Sequence, residues 1–280
     1  MATHYALTAA DQTALQGYTW PLDDPQAVLV LIHGHGEHLG RYEHFGQVLN
    51  QQQIAILGAD LMGHGQSKGK RGDFSSYDAA LEVIDTLLQQ ARSQYPDKPI
   101  FLMGHSMGGN LVAAYVLRRD PQLSGIILSA PWLELAFAPS PVDLFLAKMM
   151  LNLWPSFTQS SKLDANALSQ DPAVVQAYQK DPLVHDKVSP RLFTSVTAAG
   201  QEVLRRAPEW SLPLLVYHGD ADRITSHAAS QRFAKAAGGG QVTWHSWPGG
   251  YHEMHHEPNQ QEVLDLLGNW ISKQFSMADD

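Results

Sequence analysis

Gly104-His105-Ser106-Met107-Gly108 follows the apolar run Pro99-Ile100-Phe101-Leu102-Met103 and leads into the helical pattern Asn110-Leu111-Val112-Ala113-Ala114-Tyr115. A serine therefore stands at a strand–turn–helix corner with a glycine on either side. Such a corner is a nucleophile elbow: side chains at the flanks would clash with the neighbouring strand and helix, and the strained turn lifts the hydroxyl clear of the sheet. The helix that follows presents its N-terminus to the hydroxyl, where the dipole favours developing negative charge. The bare five-residue pattern also occurs in ordinary glycine-rich turns. The apolar strand before it and the helix after it mark Ser106 as a catalytic nucleophile.

A serine hydroxyl is a poor nucleophile near neutral pH and needs an adjacent base that is itself oriented by an acid. After an elbow of this kind the partners come in the order Ser, Asp or Glu, His, on loops that follow later strands. Leu214-Leu215-Val216-Tyr217-His218-Gly219 reads as such a strand, and Asp220-Ala221-Asp222 follows it. The Gly-x-x-Asp spacing carries the Asp222 carboxylate past the strand end, whereas Asp220 suits a hydrogen bond within the turn. The last strand, Val242 to Trp247, leads to His252, the candidate base, with His255 and His256 as rivals. Two backbone N–H groups must hold the oxyanion, those of Met107 and of His35 in His33-Gly34-His35-Gly36; losing one such donor costs about 3 kcal/mol of transition-state stabilisation. Because the backbone does this work, the His35 imidazole is expected to shape the pocket.

The elements that must position these groups alternate. Apolar runs at 27–32, 54–57, 99–103, 125–128, 212–217 and 242–247 are separated by helical patterns, which predicts an α/β fold with a mostly parallel sheet covered by helices on both faces. Thr13 to Trp20 is expected to supply an antiparallel edge strand. From Pro131 to about Pro208 no clear strand occurs and prolines punctuate helical stretches. The predicted organisation is a core of 1–130 and 209–280 with a helical cap, 131–208, over the carboxyl ends of the strands, where ligands bind in such sheets. Within the cap, Leu144 to Trp154 is apolar almost all round. It is expected to pack on both sides or to face lipid, and to line an acyl tunnel with Leu146, Met150 and Leu153.

Composition excludes several classes. A net charge of −9 over 280 residues argues against nucleic acid as a partner. The longest apolar run is too short to span a membrane, no signal peptide opens the chain, and cysteine is absent, all of which fit a cytoplasmic protein with room for peripheral membrane contact. His252-Glu253-Met254-His255-His256 spells the zincin H-E-x-x-H, but Gly249-Gly250 before it and Pro258 after it leave too little helix, and no metal is expected. Gly34, Gly36 and Gly40 imitate a dinucleotide fingerprint with one residue too many. No cofactor is expected.

Taken together, the motifs resemble the monoacylglycerol lipase and lysophospholipase branch of the α/β-hydrolases. The resemblance rests on His33-Gly34-His35-Gly36-Glu37-His38 with Arg41-Tyr42, Asp60-Leu61-Met62-Gly63-His64-Gly65-Gln66-Ser67, the elbow with Gly109, Tyr178-Gln179-Lys180-Asp181-Pro182-Leu183, Ala221-Asp222-Arg223 and Tyr251-His252. It spans nearly the whole chain, cap included. It implies that Asp222 is the acid and that Glu37, Arg41, Tyr178 and His255 line the end of the pocket that takes the glycerol moiety. His35 is a departure, since the family usually has a smaller or apolar residue there. The activity expected is hydrolysis of a monoacylglycerol or similar single-chain lipid ester. The alternatives are a lysophospholipase or broad carboxylesterase with the same triad, or a non-catalytic small-ligand receptor on the same scaffold.

Overall fold

The computed structural model describes the backbone of residues 1–276 and their side chains except at 143, 144, 275 and 276. The apolar runs form β1 (Thr3–Thr8), β2 (Ala14–Trp20), β3 (Ala27–Ile32), β4 (Ile54–Ala59), β5 (Ile100–His105) and β6 (Gly125–Ser129). After the cap pair β7 (Gln159–Ser160) and β8 (Lys187–Val188) come β9 (Leu214–Gly219) and β10 (Val242–Trp247). The eight-stranded sheet has the order β1-β2-β4-β3-β5-β6-β9-β10, parallel from β4 to β10. Every residue of β3, β4, β5, β6 and β9 is buried, as a parallel strand covered on both faces requires.

The helices are α1 (Glu43–Gln51), α2 (Tyr77–Gln94), α3 (Met107–Arg119), α4 (Pro141–Leu153), α5 (Pro172–Lys180), α6 (Pro190–Arg206), α7 (His227–Ala236) and α8 (Gln260–Ser276). Serine side chains cap α2, α6 and α7: Ser76, Ser189 and Ser226 each accept a hydrogen bond from the backbone N–H three residues on. The fold departs from the sequence expectation at three places. The segment 13–20 does form an antiparallel strand, β2, but β1 pairs outside it and is the true edge. Tyr5 of β1 lies over Gly17, where a Cβ would approach its ring to 2.3 Å. Helix α6 falls inside the expected cap interval yet buries Leu192, Val196, Ala199 and Val203 in the main core, in one cluster with Leu111, Val112 and Tyr115 of α3.

The third departure is α4. It turns Leu146, Ala147 and Met150 toward a cavity, while Val142, Phe145, Met149 and Leu153 form the opposite stripe. Phe145 is 67% and Leu153 73% exposed, so Leu153 does not line a tunnel and the helix is not packed on both sides. The side chain of Leu144 lies outside the described residues. No described helix is long and apolar enough to cross a membrane.

The elbow is closed in by backbone on both sides. A Cβ on Gly108 would meet the carbonyl oxygens of Ile32 at 2.2 Å and His33 at 2.5 Å, and one on Gly104 would meet that of Gly108 at 2.3 Å. Backbone cannot yield there as a side chain can. Gly108→Ala is therefore expected to cost roughly 1–3 kcal/mol in denaturant unfolding, while Gly239→Ala, which meets nothing within 4 Å, should stay within about 0.5 kcal/mol.

Candidate active site

Ser106 sits between β5 and α3 with φ 53° and ψ −116°, a strained backbone for a residue with a side chain. Its neighbours hold it there. Its N–H donates to the Ser129 carbonyl (2.9 Å) and its own carbonyl accepts from Asn110 N (3.1 Å) and Trp132 N (2.9 Å). The Asn110 amide in turn donates to the carbonyls of Trp132 and Val196, at 2.8 and 3.0 Å, tying the corner to α6.

Met107 opens α3, whose first N–H groups have no partner within the helix. His35 lies in the loop after β3, on the same cavity wall as Ser106. That loop is pinned by side chains. Gly34 N donates to Glu37 Oε1 (2.7 Å), and Leu61 N donates to His33 Nε2 (2.8 Å). Asp60 accepts from Leu39 N and Gln66 N, both at 2.8 Å, which explains the Asp60-to-Ser67 motif as a clamp on the same loop. The His35 ring packs among His64, His185 and Trp132 with centroids 5.6, 5.5 and 6.5 Å away. Burial pushes its pKa down to about 3, so it fills space as a neutral ring.

Asp222 and His252 are brought together, with His252 Nδ1 2.7 Å from Asp222 Oδ2. Asp220 instead accepts from Gly249 N (2.7 Å) and shapes the turn that leads to His252. The Asp222 side chain is fully buried. Burial alone would raise its pKa, but His252 and His218 outweigh that and hold it well below the carboxylate range. Burial likewise disfavours charge on His252, yet the Asp222 charge and hydrogen bond win and its pKa is raised. With Nδ1 engaged by Asp222, Nε2 is the nitrogen left for a proton in transit, and Ser106 and His252 line one cavity of about 720 Å³. Trp132, Leu135, Met150, Phe193 and Ile224 make that cavity largely apolar.

At its polar end the four residues carried over from the resemblance separate. Glu37 and Tyr178 line the cavity, while Arg41 and His255 stand behind that wall. Arg41 lies 4.8 Å from the Tyr178 ring centroid, and His255 stacks on Tyr42 at 4.8 Å. The sequence reading missed Glu253, whose oxygens accept from both Arg41 terminal nitrogens at 2.6 Å, and which also lines the cavity. It also missed Thr225 and His218, both hydrogen-bonded to Asp222 Oδ2 at 2.9 Å. A histidine at the end of a buried strand was the available signal for His218. The H-E-x-x-H stretch is a loop and a 3-10 turn, Met254–His256, with His252 on Asp222 and His256 Nδ1 on Glu253 (2.9 Å). Among the described residues no group of three or more His, Cys, Asp or Glu is placed to hold a metal ion.

Residues 23–259 match the family model described as "Serine aminopeptidase, S33". The monoacylglycerol lipase of Mycolicibacterium smegmatis is 38% identical over 90% of this chain and 90% of its own length. Phospholipase YtpA of Bacillus subtilis is 30% identical over 88% of this chain and 95% of its own. The crystal structure of the Paleococcus ferrophilus monoacylglycerol lipase superposes with a TM-score of 0.85 at 31% identity, covering 93% of this chain and 99% of that one. The chain belongs to the serine aminopeptidase family of hydrolases and has the α/β-hydrolase fold.

Proposed function

We propose that the chain is a monoacylglycerol lipase in which Ser106, His252 and Asp222 are the catalytic triad. The observation that carries this reading is the buried Asp222–His252 pair at 2.7 Å, facing the same apolar cavity as a serine on a strained elbow. Ser106 Oγ attacks the ester carbonyl carbon as His252 Nε2 takes the hydroxyl proton. The N–H groups of Met107 and His35 hold the oxyanion. The ester C–O bond then breaks, His252 passes the proton to the departing glycerol oxygen, and an acyl-enzyme remains. Water adds to the acyl carbon with its proton going to His252, and collapse releases the fatty acid while His252 returns the proton to Ser106. On the alkaline side of its raised pKa His252 carries charge only in transit, and Asp222 stabilises it then.

Two features support a neutral single-chain substrate. The cavity walls contributed by Leu146, Ala147 and Met150 of α4 suit one acyl chain. At the polar end, Glu37 and Glu253 line the cavity and both carboxylates pair with Arg41 behind it, a net-negative setting that receives glycerol hydroxyls better than a phosphate. The similarity to a phospholipase keeps lysophospholipid hydrolysis as the competing activity. The solvent-facing stripe of Val142, Phe145, Met149 and Leu153 is proposed to rest on the lipid surface that supplies substrate.

Ser106→Ala and His252→Ala are each expected to lower ester hydrolysis by several orders of magnitude. The double variant should be little worse, because residues acting as one unit are not additive. Asp222→Asn should cut kcat by on the order of 10⁴, with Asp220→Asn far milder; the reverse order in folded protein would reassign the acid.

The working base must be neutral and the folded protein raises its pKa above 6.5. The rate should therefore fall as pH drops through a midpoint above that value and level off on the alkaline side. On a panel with one acyl chain, monoacylglycerol should far outpace di- and triacylglycerol and lysophospholipid. Equal rates on mono- and triacylglycerol would contradict the single-chain cavity. Phe145→Asp and Leu153→Asp should weaken binding to liposomes while leaving hydrolysis of a short soluble ester nearly unchanged.

A further inference from the structure

His218 stands at the end of β9, behind the carboxylate and away from the substrate cavity, where no step of the triad chemistry requires a histidine. Its side chain is fully buried. Nε2 lies 2.9 Å from Asp222 Oδ2, and Nδ1 lies 2.9 Å from Ser230 Oγ on α7. These contacts fix its form. A carboxylate oxygen only accepts, so Nε2 carries the proton; Nδ1 is then the acceptor, and the Ser230 hydroxyl donates to it. Burial pulls the His218 pKa below its ordinary value, more than the Asp222 contact raises it, in keeping with a neutral ring.

The place of the Asp222 carboxylate does not depend on His218. Oδ1 accepts from Ile224 N (2.7 Å) and Thr225 N (3.1 Å), and the Thr225 hydroxyl donates to Oδ2 (2.9 Å). What His218 adds is a second imidazole donor on the same oxygen that faces His252. Each neutral donor on a carboxylate draws off part of its charge and so weakens its pull on any one proton. We propose that His218 is a positioning residue for the reaction, which shares Asp222 Oδ2 with His252 and thereby limits how tightly the carboxylate holds His252 in its protonated form, with the Ser230 hydroxyl donating to the Nδ1 that this tautomer leaves as an acceptor. The proposal rests on the triad reading given above.

The other groups that face His252 are accounted for. His105, at the end of β5, has its ring centroid 4.8 Å away, and burial pushes its pKa well down, leaving it neutral. Glu253, next in the His252 loop, is held charged by Arg41 despite its burial, and Glu37 approaches from the loop after β3. Both carboxylates favour charge on His252, and neither contacts His218 or Ser230. A change made behind Asp222 therefore reads out through Asp222.

The test is the pH dependence of kcat/KM for a short soluble ester in folded His218→Leu, His218→Gln and Ser230→Ala, beside the parent enzyme. Removing the donor in His218→Leu should move the midpoint of the acid limb to higher pH by about half a unit or more. The amide N–H of His218→Gln should return the midpoint to the parent value. Ser230→Ala, which removes the donor to Nδ1 that polarises the ring and strengthens its Nε2–H as a donor, should move it part of the way in the same direction. An unmoved or lowered midpoint in His218→Leu overturns the proposal, as does a midpoint in His218→Gln displaced as far as in His218→Leu. Should His218→Leu not fold, Ser230→Ala decides alone, and an unmoved midpoint there counts against the proposal. Failure of the triad reading itself would look different, since Ser106→Ala would then keep its esterase activity.

Discussion

The site is organised around one buried negative charge. Asp222 is removed from water, which by itself would drive its carboxyl to take up a proton. It stays ionised because its two oxygens accept from His252, His218, the Thr225 hydroxyl and the backbone of Ile224 and Thr225. Those donors come from the end of β9, the turn after it and the loop after β10, so the charge is stable only when the carboxyl end of the sheet is assembled. The order of strands β6, β9 and β10 is what brings them together. Thr225 Oγ1 also lies 3.0 Å from the Ala130 carbonyl, which brings Asp222 close to the segment that follows β6.

A second buried charge network adjoins the cavity. Glu37 and Glu253 each pair with Arg41, and Glu37 at the same time holds the Gly34 N–H of the proposed oxyanion loop. Glu253 follows His252 directly in the chain. The polar end of the cavity is thus tied to both the proposed oxyanion loop and His252, the proposed base. Breaking such a pair on one side strands a buried charge, which is far more costly than the pair is favourable.

Much of this was legible in the sequence, and for definable reasons. Ser106, Asp222 and His252 could be found because each follows an apolar strand in a fixed order, and strand ends are what a buried parallel sheet displays most clearly. Asp220 was separable from Asp222 because the residue nearest the strand end is drawn into the turn, where it binds Gly249 N. Partners that act from behind were invisible to this logic. His218 lies within a strand and reads as core, and Glu253 sits in a decoy metal motif. The edge strand β1 was missed because a half-buried edge carries only weak alternation. Helix α6 was placed in the cap because the interval was bounded by prolines, one of which, Pro190, opens the helix as its first residue. Helix α4 shows a different limit. A helix apolar on all sides does not reveal from its own letters which face meets a cavity and which is left open, since that is decided by the neighbours.

The central claim is that Ser106 is made nucleophilic by His252 and Asp222. It is tested most directly by reacting the folded protein with a fluorophosphonate and mapping the adduct by mass spectrometry in the parent, His252→Ala and Asp222→Asn proteins. The account predicts a single adduct on Ser106, formed quickly in the parent and slowed by orders of magnitude in both variants. Rapid labelling of Ser106 in His252→Ala, or an adduct on another residue, would contradict it.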